Sequence, residues 1–468
     1  MFKKLITLFL ILTALLTLTV IPSSAEEIAP AEKLSITLSG TGYSNFGFLR
    51  DGNIKAYKSS NATAAITVES AEEMYSLYLM FDLEYGEYTI TDNTNNLTVT
   101  AGKYGFLHEY IKFEKPTKSV TLNFTKGTVR LSEITAYSNG STPSGVQEWL
   151  PPLDDKTDIL LLATHGYDDQ LFFAGLFPLY AAEKKCAVQV AYLTDHRNLT
   201  KGRTHEMLNG LWSTGVTSYP VFGKFADFRI DDLQGTYNEY ARRGTTKQAL
   251  QAYVVEQIRR FKPQVTVAHD FKGEYGHGMH MVYTDLLVNS LEITNDATKF
   301  PESAEKYGVW DIPKTYIHLY KENPVVIDYD QPLNSFNGIT AFQATQKFGY
   351  PCHESQQYTW FTNWLNGKGS ITKATQIKTY NPCEFGLYRT TVGDDVLKND
   401  FMENIIKYAD QKPPQEETDT SENQQQQDTD ESKTSPKNNF ADYIVYIVLA
   451  IVGLGALSIL LLTVFKRR

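Results

Sequence analysis

Residues 30–138 carry short runs in which apolar and polar positions alternate. They are Leu34-Ser-Ile-Thr-Leu38, Ala65-Ile-Thr-Val68, Tyr75-Ser-Leu-Tyr-Leu79, Tyr88-Thr-Ile90, Leu97-Thr-Val-Thr100 and Ser119-Val-Thr-Leu-Asn-Phe124. Gly, Asn and Asp turns separate them, and a period of two with this many Thr, Tyr, Val and Ile predicts an antiparallel β-sandwich. After a Gly/Ser/Pro connector at Ser138 to Pro152, in which Trp149 is expected to pack on a neighbour, the pattern changes. Asp158-Ile-Leu-Leu-Leu-Ala163 is an unbroken apolar run fit for a strand buried on both faces. Ala187 to Leu193 and Gln264 to Ala268 read the same way. Helices are expected at Leu171 to Glu183, Thr204 to Trp212 and Tyr237 to Phe261. Strand and helix in alternation imply a parallel sheet with right-handed crossovers and chemistry at the carboxyl ends of its strands.

The two ends predict a compartment. Lys3 and Lys4, the apolar run Leu5 to Val20 and Ser23-Ser24-Ala25 have the form of a signal peptide over 1–25. Tyr443 to Phe465 is apolar and uncharged, long enough to cross a ~30 Å hydrocarbon core, and Lys466-Arg467-Arg468 follow as a cytoplasmic stop. Gln411 to Asn439 is too polar to fold and is expected to be a disordered acidic stalk. The expected order is therefore signal peptide 1–25, sandwich 30–138, α/β domain 153–410, stalk 411–439, transmembrane helix 443–465 and stop 466–468. This is a single-pass cell-membrane protein with its N-terminal domains outside, suited to a bacterial surface.

Charge and cysteines narrow the partners. The formal charge is −10, and loss of a leader holding two lysines and no acid takes it to −12. That argues against nucleic acid, which needs a Lys/Arg excess on some face. Three cysteines cannot staple 468 residues, although Cys352 and Cys383 could pair.

Two clusters carry the chemistry. The first buried strand runs into His165-Gly-Tyr-Asp168-Asp-Gln, and the Gln264 strand into His269-Asp270-Phe-Lys-Gly-Glu274-Tyr275-Gly-His277-Gly-Met-His280. A His-x-x-His spacing puts two imidazoles on nearly one face of a helix start, and two His with one Asp leave an open position on a zinc ion, as hydrolytic sites require. No Gly-x-Gly-x-x-Gly follows the first strand, so a dinucleotide is not expected there. Arg242-Arg243 and Arg259-Arg260 read as a solvated helix face, Trp310, Trp360 and Trp364 as core, and Cys186 as a buried small apolar side chain.

Residues 155–365 resemble the PIG-L/LmbE-like N-acetylglucosaminyl deacetylases, zinc-dependent amidohydrolases on a Rossmann-like fold. The resemblance rests on the two clusters, on Arg203-Thr-His-Glu206 and on His353-Glu-Ser-Gln356, four motifs in the family's order. It implies His165, Asp168 and His280 as ligands of one Zn2+, His277 as the imidazole facing the substrate, Tyr275 beside the developing oxyanion and Arg203 as a substrate contact. The sandwich, with Leu49-Arg-Asp-Gly52 early and Val129 to Ile134 closing, resembles galactose-binding-like jelly rolls. The expected partner is an N-acetylated amino sugar of a surface glycan or glycolipid.

The chain also departs from the family. In ungapped register Tyr167 stands where the family has its general-base Asp, and a phenol with an ordinary pKa near ~10 is a poor acceptor at neutral pH. Asp169 is then a candidate for proton transfer, as is Asp270. A one-residue insertion would instead make Asp168 the base and Asp169 the ligand, at the cost of turning the following helix by ~100°; the ungapped register is preferred. Met279 replaces an Asp between the histidines. Three functions follow: an N-deacetylase, a catalytically impaired glycan-binding pseudoenzyme, or a structural surface protein whose α/β part is scaffold.

Overall fold

The computed structural model describes residues 28–196, 202–356 and 370–411. The leader, the stalk beyond Gln411 and the apolar run 443–465 lie outside them, as do Trp360 and Trp364. Among the described residues no helix is long and apolar enough to cross a membrane.

The N-terminal part is an all-antiparallel sheet of seven strands: β1 (Thr37–Thr41), β2 (Lys58–Ser59), β3 (Ala64–Phe81), β4 (Tyr88–Asp92), β5 (Leu97–Ala101), β6 (His108–Phe124) and β7 (Arg130–Tyr137). Two expected strands, at 65–68 and 75–79, are one 18-residue strand. Its register against β6 shifts between Glu69 and Ser76, where the polar stretch had suggested a turn. On either side of this irregularity β3 changes its other neighbour, from β1 to β7. Ile66, Val68, Leu77, Leu79, Phe81, Leu122 and Phe124 are buried in one core.

The α/β part holds a second seven-stranded sheet: β8 (Ile159–Ala163), β9 (Val188–Thr194), β10 (Val221–Phe225), β11 (Val265–Ala268), β12 (Lys314–His318), β13 (Pro324–Val326) and β14 (Glu384–Thr390), in the order β10-β9-β8-β11-β12-β14-β13. The first five in that order run parallel, and β14 and β13 close the sheet antiparallel. Every residue of β8, β9, β11 and β12 is buried, the first three as largely apolar runs, and β12 with its polar ends partnered, Lys314 by Asp395 and His318 by Glu274. Helices α1 (Asp168–Leu171), α2 (Arg203–Ser213), α3 (Leu233–Arg242), α4 (Lys247–Phe261), α5 (Gly278–Ser290), α6 (Pro301–Tyr307) and α7 (Ala341–Ala344) connect the strands or cover them.

Four expectations need correction. The helix at Leu171 to Glu183 is α1 followed, after a break, by a π-helix at Phe177–Glu183. The break holds Gly175 at φ +100, where a Cβ would lie 2.4 Å from the Tyr329 ring. Tyr237 to Phe261 is two helices, parted at Gly244 with φ +84. Arg259 is not solvated: it is fully buried, and its guanidinium donates to the carbonyls of Ile293, Thr294, Asp296, Lys299 and Phe300 and to Ser303 Oγ. Cys352 and Cys383 are unpaired thiols, as is buried Cys186. Arg242 and Arg243 do lie at the surface, both on Glu239, and Trp149 packs edge-on against Trp212 and Tyr219.

Candidate metal centre

The site forms where β8 and β11, adjacent and parallel, release their chains at the same end of the sheet. After β8 the backbone turns sharply through Tyr167, held at φ 98, a left-handed conformation that costs a non-glycine residue of order 1–3 kcal/mol. Asp169 Oδ1 fixes the turn by accepting the Tyr167 N–H at 3.0 Å. After β11 the chain makes a second turn through Tyr275 at φ 51, and His277 caps α5 by accepting the Met279 N–H on Nδ1.

These turns bring His165, Asp168 and His280 together. Asp168 Oδ2 lies 2.8 Å from His165 Nδ1 and 3.2 Å from His280 Nε2, all three side chains buried. Ligands of a tetrahedral zinc at ~2.0–2.2 Å stand roughly 3.3 Å apart, so these separations are of the right size. Two atoms of the trio, His280 Nε2 and Asp168 Oδ1, are buried without a hydrogen-bond partner. An orphaned imidazole nitrogen and an orphaned carboxylate oxygen, side by side, are the donor set a divalent cation would satisfy. Burial opposes the charged form of Asp168, but His280 and His165 hold its pKa well below the usual range. Burial likewise opposes the cation at His280, but Asp168 and Glu274 raise it to about 9. Asp168, rather than Asp169, meets the histidines, which is the arrangement of the ungapped register.

Glu274 organises the cluster from behind, a role the spacing of residues did not suggest. Its fully buried carboxylate accepts from His269 Nδ1 (2.8 Å), His280 Nδ1 (2.7 Å), His318 Nδ1 (2.6 Å) and the Asp270 N–H (3.1 Å). Four donors fill its four lone-pair sites. Burial alone would raise its pKa, but the histidines, His269 foremost, keep it well below the ordinary value. Glu274 thereby holds a proton at His280 Nδ1 and leaves Nε2, facing Asp168, as the nitrogen that would exchange its proton for a metal ion, the carboxylate–histidine arrangement that supports metal ligands. His269 is within reach of Asp168 and His280. Its Nε2 already accepts the Thr164 N–H at 3.1 Å, which makes it a support rather than a ligand.

The other expected residues take distinct places. His277 stacks on His280 with centroids 4.8 Å apart, and can join His165 and His280 as a three-nitrogen set. Burial, with His165 and His280 beside it, lowers its pKa to about 2, so its imidazole is neutral. Tyr275 lies 5.4 Å from the His280 ring and shares a hydrogen bond with the Tyr167 hydroxyl. Burial, then Asp168, pushes the Tyr167 phenol up. Asp169 is buried, engaged by Tyr167 N–H and Gln170 Nε2, and raised by that burial to about 7. It buttresses the turn and belongs to neither ligand cluster. Arg203 donates to Gly166 O at 3.1 Å and lies over the Tyr167 ring at 5.7 Å. Asp227, unremarked in the sequence, brings Oδ1 to 3.5 Å from His165 Nε2 and is partly exposed.

No family model matches the chain. A 1D-myo-inositol 2-acetamido-2-deoxy-alpha-D-glucopyranoside deacetylase of Catenulispora acidiphila is 26% identical over 228 residues, 44% of this chain and 68% of that protein. The enzyme of the same description from Streptomyces scabiei is 26% identical over 179 residues, 34% of this chain. The α/β part is PIG-L/LmbE-like. The chain spans about half, 54%, of the second relative. Among solved structures, the N,N'-diacetylchitobiose deacetylase of Pyrococcus horikoshii is 13% identical and covers 49% of this chain, at a TM-score of 0.33. In this PIG-L-like part the four sequence motifs converge in space: Ser355 Oγ, from the last, donates to Glu206, from the second, at 2.6 Å.

Proposed function

We propose that the protein is a zinc-dependent N-deacetylase of GlcNAc-type amino sugars in a surface glycan or glycolipid. The observation that carries this is the meeting of His165 Nδ1 and the orphaned His280 Nε2 on Asp168 Oδ2, in a chain related to deacetylases of acetamido sugars. His165, Asp168 and His280 would hold the ion, which when bound supplies Lewis acidity toward a water and the amide carbonyl.

The chain's own groups do the rest. Because His277 Nδ1 accepts a backbone N–H, the proton of its neutral ring sits on Nε2. It therefore serves as a hydrogen-bond donor that stabilises negative charge on the carbonyl oxygen, while the leaving amine receives its proton from the carboxylate that took one from the water. Tyr275, next to it, is a second donor for the same charge. Arg203 orients the sugar. Glu274 has no lone pair to spare and Asp169 is enclosed. Asp227, at the mouth, is the carboxylate placed to take the proton of the attacking water. The apolar run 443–465, followed by three cations, supports anchoring of this enzyme at the cell surface.

Tyr167 favours a second reading, a glycan-binding pseudoenzyme: its phenol is half-buried, tied to Tyr275 and pushed further from ionisation. One experiment separates the two. Acetate release from an N-acetylglucosamine oligomer, with zinc, is measured for the parent and for Tyr167→Asp. The deacetylase reading expects turnover in the parent; no release from the parent with a gain of at least a hundredfold in the variant would replace it with the second.

A further inference from the structure

Helix α2 is a plate between the two parts of the molecule. Its site-facing stripe is Arg203, Met207 and Gly210, spaced i, i+4, i+7. Arg203 reaches Gly166 O; Met207 fills the space where a Cβ on Gly166 would lie 2.2 Å from it; Gly210 lies against His353, whose Nε2 a Cβ would meet at 2.8 Å. The opposite stripe, His205 and Asn209, faces the β-sheet part. There His205 Nδ1 meets His108 Nε2 of β6 at 2.7 Å, His108 Nδ1 meets the Tyr78 hydroxyl of β3 at 2.6 Å, and Tyr78 accepts the Gln147 N–H at 3.2 Å. Gln147 also bonds Asn209. His108 and His205 are both buried, 2% exposed.

This grip compensates for a missing one. The first residue of α2 follows Gly202, at φ 81, with no side chain capping the helix, so the first turn, which holds Arg203, lacks the acceptor that Ser, Thr, Asn or Asp would bring to its free N–H groups, a loss of roughly a few tenths of a kcal/mol.

We propose that His108 is a positioning residue for the site: through His205 it fixes the first turn of α2 and so the place of Arg203 at the mouth. The β-sheet part is then a component of the substrate site and not an independent module. The role of Arg203 rests on the deacetylase reading, so the test includes two readouts that do not.

The full chain is compared as wild type, His108→Ala, His108→Gln, Arg203→Ala and the Arg203→Ala double variant with His108→Ala. His108→Ala should raise KM for an N-acetylglucosamine oligomer about tenfold with kcat within twofold, and leave zinc affinity by calorimetry unchanged. Hydrogen exchange should quicken at residues 203–207 and not at 265–290. His108→Gln, whose amide can still donate to His205 Nδ1, should restore both. In the Arg203→Ala background His108→Ala should add nothing to KM. Equal effects in both backgrounds, unchanged exchange at 203–207, or lost zinc binding in His108→Ala would overturn the proposal. If the wild type releases no acetate, the deacetylase reading fails by itself. Oligomer affinity and exchange at 203–207 then decide the positioning role.

Discussion

At the scale of single residues, the candidate site depends on the groups that bond to His165, Asp168 and His280 as much as on those three. Glu274 was hard to read from sequence because a carboxylate among Asp270, Lys272 and Gly273 looks like a solvated loop, and because one of its partners, His318, lies 44 residues further on. His165 and Asp168 were legible because they follow a continuous apolar run that could only be a buried strand. Replacing Glu274 by Gln keeps the size but removes the charge and one acceptor oxygen, so at least one of three imidazoles loses its fixed proton position. We expect zinc affinity, read by calorimetry at neutral pH, to fall about 10–100-fold, the usual cost of losing such a support. An unchanged affinity would mean that the backbone turns alone orient His280. Arg259 shows the same limit on sequence reading. Its helix looks amphipathic, and the carbonyls that enclose the guanidinium come from the aperiodic segment 293–300. Arg259→Ala strands several buried acceptors, and urea unfolding should show a loss of about 3 kcal/mol or more.

At the scale of elements, continuous apolar runs located three of the five parallel strands, β8, β9 and β11, within a residue or two, but missed β10 and β12 and where elements break or merge. A polar stretch inside β3 looked like a turn because sequence cannot show that both flanks pair with the same strand, β6. Helix α2 was expected from its periodicity, yet its burial against the β-sheet part could not be, since His205 reads as one more exposed polar position. That burial makes the interface sensitive to acid. Burial lowers the His205 pKa to about 4, from an ordinary value of ~6.5. The group facing it from β6, His108, is lowered as well, by burial and by His205; Glu206, the next residue of α2, is 3.9 Å from Lys55. The unfolded chain takes up the proton first, so stability is full above pH ~6.5 and declines as pH falls toward 4. For His205 alone the loss is about 2 kcal/mol at pH 5, approaching ~3 kcal/mol below pH 4. Urea unfolding of wild type and His205→Gln at pH 7 and pH 5 checks this, with the variant expected to lose less between the two.

At the scale of the whole molecule, the described residues between 28 and 411 form one compact unit in spite of their two sheets. The reason is visible in the joint. Phe106 from the β-sheet part stacks on Tyr219 at 4.7 Å, Tyr219 accepts the Leu107 N–H at 3.2 Å, and Trp149 from the connector packs on Tyr219 and Trp212. The change of apolar pattern across the connector separated two domains, but a joint of aromatic rings and a histidine pair has no sequence period and could not be foreseen. Inter-domain surfaces that are large and apolar suppress relative motion and couple unfolding. Cutting the chain at the connector would uncover two aromatic rings of the α/β side, Trp212 and Tyr219, each burying on the order of 150–250 Å² when covered. It would also leave His205 Nδ1 and Asn209 without partners. A fragment comprising residues 153–410 should therefore melt well below one comprising residues 28–411, and the longer one should unfold in a single calorimetric transition with equal van't Hoff and calorimetric enthalpies. Two separate transitions, one matching the isolated fragment, would show that the two sheets are stable independently and that the histidine pair joins them without coupling them.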